Sequence, residues 1–169
     1  MKQMIETINQ WIDATLEANR DKQQCCLSLP KRVHQFYDEE FLASAFFVET
    51  TTIPKPTFII NIPGAEEYLA MDVRGVTYKN TYFVHPDIPL STHVHELVHV
   101  AQWKLLGAET FISEYIRGVQ TYGYRDSPLE DIAFTVQQDF EDENASTNKP
   151  YDVVERVNLF LLKNKLGLE

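Results

Sequence analysis

Residues 95–99 read His-Glu-Leu-Val-His, and no other stretch constrains this chain as tightly. On a helix, positions four apart lie one turn apart on nearly the same face. His95 and His99 can then aim two imidazole nitrogens at one metal ion from about 2 Å. Glu96 is rotated about 100° around the axis, so it stands beside such an ion and not on it. From there a carboxylate can take a proton from water that the ion has acidified. Val94, Leu97, Val98, Ala101 and Leu105 form an apolar stripe on the other face and predict a helix anchored in a core. The bland alternative is two histidines that share a helix face.

Catalytic zinc takes three protein ligands and one water. No histidine follows His99, so the ligand-rich continuation H-x-x-G-x-x-H is absent. The third ligand must be a carboxylate or an upstream histidine. Glu130 opens a later helix and is a candidate, but Ser127-Pro128-Leu129-Glu130 also spells a capping box. In a capping box the glutamate only ties back to the helix N-terminus. Spacing leaves both readings open, with Asp131 as a third possibility and Asp126 as a weaker one.

HELVHVAQW, followed by YGYRDSPLEDIA, resembles the small bacterial zincin-like metallopeptidases of the gluzincin kind. There HELxHxxQ precedes a Y-R-x-x-P-x-E-x-x-A pattern, which Tyr124, Arg125, Pro128, Glu130 and Ala133 match. GVTYKNTYFVHP is similar to that family's strand before the active-site helix. Asp131 and Ile132 depart from the pattern, and the likeness covers only about residues 74–140. It implies a zincin-like α+β domain with the active-site helix beside a small sheet and a mostly helical C-terminal half. It implies one zinc ion (Zn²⁺) per chain on His95, His99 and Glu130, with Glu96 as general base and a peptide or protein as substrate.

Nearby residues have two readings each. Gln102, one turn past His99, either orients a ligand or is a surface glutamine. Tyr122 and Tyr124 either pack or offer a phenol to an oxyanion, and Tyr124 is the candidate for a catalytic role. Arg125 either pairs with Glu96 or a substrate carboxylate, or lies on the surface. His93 is turned about 200° from His95 and is not expected to be a ligand. His85 is expected to line the cleft. His34 has no expected role.

The pattern predicts one domain over 1–169, with a helical extension at about 1–40. Periodicity predicts helices over 3–19, 92–106, 109–119, from Ser127-Pro128 onward and over 151–164, and a short one at KRVHQFY. Gly107 is the expected stop of the active-site helix, and the next helix is expected to end near Gly118 or Gly123. A strand is expected at 43–52 and a strand or hairpin turning at Lys79-Asn80, while 57–71 is ambiguous. The segment 80–85 is expected to pair with an extended peptide at a sheet edge.

Fifteen Lys and Arg against 25 Asp and Glu give a net charge of −10, which disfavours nucleic acid and anionic membranes as partners. Cys25 and Cys26 are adjacent and predict no disulfide framework. Glu6, Asp13 and Glu17 interrupt the N-terminal apolar positions, so no signal peptide and a cytoplasmic location are expected. The expected function is a zinc-dependent metallopeptidase-like hydrolase. The alternative is a non-catalytic zinc domain with a structural or protein-interaction role. Glu96 favours the enzyme, and the lack of an evident pocket for a substrate side chain favours the alternative.

Overall fold

A computed structural model describes residues 2–142 and 152–165. Helix α1 (Lys2–Ala18) turns Ile5, Ile8 and Ile12 inward, the spacing its sequence predicts. The chain then makes a two-residue strand, β1 (Gln24–Cys25), a short helix, α2 (Glu39–Ala43), and strand β2 (Phe46–Glu49). The Asp38 carboxylate accepts from the Phe41 amide at 2.7 Å and caps α2. The strand expected at 43–52 is shorter at both ends, because Ala43 closes the helix, Ser44 caps it, and residues 50–52 lie beyond the strand. KRVHQFY holds only a single 3-10 turn, Val33–Gln35.

The ambiguous stretch holds a 3-10 turn at Thr57–Asn61 and helix α3 (Ala65–Ala70). Strands β3 (Gly75–Tyr78) and β4 (Thr81–Val84) follow, joined at Lys79-Asn80 as a tight hairpin with Lys79 at φ 59°. The sheet order is β1-β2-β4-β3, with β2 and β4 parallel and the other pairs antiparallel. Two expectations change here. The segment 80–85 is no edge: β4 is hydrogen-bonded to β2 on one side and β3 on the other. The first forty residues are not purely helical either, since β1 completes the sheet.

Helix α4 (Leu90–Tyr122) breaks at Gly107, whose φ of 72° and ψ of 165° end the first helical run and re-aim the second. Its second run ends at Gly123, and Gly118 lies inside it. Helix α5 (Pro128–Glu141) starts on Pro128, where a missing amide costs nothing. Helix α6 (Val153–Lys165) matches the expected last helix from 153 on; Asp152 precedes it, and residue 151 lies outside the described residues. The architecture is α+β. No helix among the described residues is long and apolar enough to cross a membrane.

Two apolar clusters hold these elements. One joins Tyr82, Val94, Leu97, Val98 and Ala101 to Ile132, Val136 and Phe140. The other joins Ile8 and Ile12 of α1 to Phe83, Trp103 and Phe111. The first run of α4 is therefore clamped between the sheet, α1 and α5.

The paired cysteines occupy different environments. Cys26 is fully buried, its thiol beside the Tyr82 hydroxyl at 3.6 Å, and burial pushes it up to about 12. Cys25 is only half-buried. Alkylation of the folded protein at pH 8 is expected to add one group, at Cys25, with the second added only after unfolding. Mass spectrometry of the intact chain reads this directly, and two groups in the folded state would contradict the burial.

Candidate metal centre

His95 and His99 project from the first run of α4, and Glu130 reaches across from the first turn of α5. The Glu130 carboxylate lies 3.3 Å from His95 Nε2 through Oε2 and 3.4 Å from His99 Nε2 through Oε1. The three residues form a buried group that could hold a metal ion. Donors at about 2.1 Å from a tetrahedral centre stand about 3.4 Å apart, so these spacings suit such an ion.

Hydrogen bonding separates the ligand reading of Glu130 from the capping box. Ser127 makes no side-chain cap bond, and Glu130 is turned away from the helix start. Its Oε1 accepts from the Tyr115 hydroxyl at 2.7 Å. Its Oε2 is buried and, apart from the His95 Nε2 contact, has no hydrogen-bond partner among the described residues, and His95 Nδ1 has none there either. Orphaned buried polar atoms of this kind are rare and call for an explanation. Asp126 and Asp131 are both exposed and contribute nothing to the group.

Gln102 is fully buried and links the two helices that carry this group. Its Oε1 accepts from His99 Nδ1 at 2.8 Å, and its Nε2 donates to the Leu129 carbonyl at 2.9 Å. With the hydrogen on Nδ1, the neutral His99 ring directs the Nε2 lone pair at the Glu130 carboxylate. A lone pair and a carboxylate facing each other repel unless a cation or a proton lies between them. Burial alone would lower His99, but the Glu130 charge more than offsets this and raises it to about 9. For Glu130, burial is likewise outweighed by the two histidines, which hold it well below the usual carboxylate range. The donor set of two imidazoles and one carboxylate is chemically suited to zinc.

Glu96 lies beside this group, 4% exposed, with Oε2 accepting from the Thr77 hydroxyl at 2.7 Å. Burial pushes its carboxyl up, against the opposing pull of His95, His99 and Thr77. A raised carboxyl is a better proton acceptor near neutral pH. Strand β3 is held against the helix by the Trp103 indole, which donates to the Thr77 carbonyl at 3.2 Å. Gly75 makes this approach possible: a Cβ there would stand 2.3 Å from Glu96 Oε1.

The remaining candidates separate cleanly. Tyr124 lines the cavity at this site, its phenol raised by burial and by the carboxylates of Glu130 and Glu96. Tyr122 is 60% exposed. Arg125 stacks on the Phe134 ring at 3.8 Å and not on Glu96. His93 turns away, with Nδ1 2.9 Å from the Tyr82 hydroxyl. His85 does not line the cleft; it pairs with Asp87 near Arg74. His34 contacts the Leu29 carbonyl at 3.1 Å. Thr77, Gly75 and Tyr115 were not singled out by sequence. The first two lie in the GVT of the strand segment, while Tyr115 carries no local signal.

No protein-family model matches this chain, and neither a curated protein nor a solved structure matches it.

Proposed function

We propose that the chain is a zinc-dependent peptidase with a zincin-like fold of the gluzincin kind. The observation that carries this reading is the convergence of Glu130 on both Nε2 atoms while the Glu96 carboxylate stands free of that group. His95, His99 and Glu130 would hold the ion. When bound there, zinc supplies Lewis acidity towards a carbonyl and acidifies water. Glu96 takes the proton of the attacking water and passes it to the leaving amine. Thr77 fixes the direction of the Glu96 carboxylate, and Gln102 fixes His99. Tyr124, protonated through its buried setting, offers an O–H donor to the developing oxyanion.

A second reading is a metal that only staples the fold. It is favoured by the enclosure of the site, whose three ligand residues are 2–5% exposed. It leaves the raised, hydroxyl-oriented Glu96 without a role, so the enzyme is the better reading.

Purified protein is expected to hold about one zinc per chain, read by elemental analysis. Zinc-loaded protein is expected to cleave members of a broad peptide library, to stop after chelation and to resume on adding Zn²⁺. Tight zinc with no cleavage anywhere in the library would leave the structural reading. Gly75→Ala is expected to keep zinc but lower hydrolysis about 10²-fold, because the new methyl displaces the Glu96 carboxylate. Wild-type turnover in that variant would show that Glu96 need not stay where it is.

A further inference from the structure

Beside the metal-facing residues lies a cavity of about 130 Å³. Part of its wall comes from segments outside the likeness. Ile8 and Ile12 of α1 form one side, and Ile59 and Ile62 of the 57–62 stretch form another. Phe111 and Ile116 of the second run of α4 complete it. At one end stand Glu96, His99 and Glu130, with Tyr115 and Tyr124 next to them. The 54–71 segment closes over the cavity. It is tied down where the Tyr78 hydroxyl donates to the Pro54 carbonyl and Gln120 Nε2 to the Pro63 carbonyl, each at 2.8 Å.

Size and chemistry limit what can enter. A dry cavity of about 150 Å³ lined by apolar side chains accepts a benzene-sized molecule. Among the described residues no lysine, arginine or aspartate lines this one, and its two glutamates and its histidine stand together at the end next to His95. A charged group deep in the cavity would lose its water and gain no partner. An apolar ring or branched chain would bury its surface at no such cost.

We infer that this cavity is the pocket for one bulky, uncharged side chain of the substrate, ring-sized aromatic or branched aliphatic, held next to the bond that is cut. The inference rests on the peptidase reading for what it serves, and its test is separable from that reading. Ligands that lack such a group forfeit the pocket, and ligands with a charged group of equal length are rejected by it.

The test uses hydroxamic acids, which bind zinc through a common head group and differ in their arms. Calorimetry on zinc-loaded protein compares acetohydroxamic acid, 3-phenylpropanohydroxamic acid and the monohydroxamic acid of succinic acid. The phenyl arm is expected to bind at least about tenfold tighter than the methyl one, and the carboxylate arm no tighter than the methyl one. In Ile116→Phe, whose ring fills the cavity, the phenyl preference is expected to collapse towards unity at unchanged zinc content. Equal binding of all three acids by wild type overturns the inference and leaves the zinc reading standing. If the protein holds no zinc, the peptidase reading falls alone, because toluene reads the cavity without a metal. Toluene is then expected to shift the amide resonances of Val76, Phe111 and Ile112. The absence of any shift there overturns the inference.

Discussion

Glu96→Gln is expected to keep its zinc and lose about 10²–10⁴-fold in kcat/KM on any peptide the wild type cuts. The amide is nearly isosteric with the carboxylate and can still accept from the Thr77 hydroxyl through its oxygen. It cannot take a proton from water. The change also removes a charge from a site that is 4% exposed, so the variant should be no less stable than the wild type. Metal content, turnover and thermal midpoint, measured on one preparation, separate these effects. Wild-type turnover in this variant would remove Glu96 from the chemistry.

Glu130→Gln is expected to do the reverse, weakening zinc itself. It replaces the anionic member of the donor set and leaves two neutral imidazoles. The loss should exceed the about 10–100-fold typical of removing an outer partner of a ligand, which is the range expected for Gln102→Leu. His95→Ala and His99→Ala should fall with Glu130→Gln and not with Gln102→Leu. Competition against a chelator of known zinc affinity ranks all four. If Glu130→Gln holds zinc as tightly as the wild type, its approach to the histidines is an ion pair and nothing more.

Local chemistry explains what was legible in the sequence. The helical face of 94–101, the stop at Gly107 and the hairpin at Lys79-Asn80 each depend on residues close in the chain, though Leu105, expected in the same buried stripe, is 39% exposed. The first turn of α5 was legible as a helix start, while Glu130 as a ligand followed from the family resemblance and not from its spacing. Capping and ligation place glutamate at the same spacing from Ser127, and only the direction of the side chain decides between them. The sheet order was not legible, because a two-residue strand such as β1 carries no periodicity and the β2–β4 pairing joins distant segments. Gln102 was visible as a candidate because it sits one turn from His99. Tyr115 was not, since it meets Glu130 only after α4 has broken and turned at Gly107.

Helix α1 carries none of the metal-facing residues, yet Ile8 and Ile12 wall the cavity those residues open onto. A chain shortened to begin after Ala18 would still contain the whole donor set and the general base. It would present them to an open trench. Such a trench should admit larger and more varied ligands, with poorer discrimination and exposed apolar surface. On the proposed peptidase reading, the amino-terminal helix would act as a selector placed far in sequence from His95, His99 and Glu130, and substitutions at Ile8 and Ile12 would retune what enters without touching those residues.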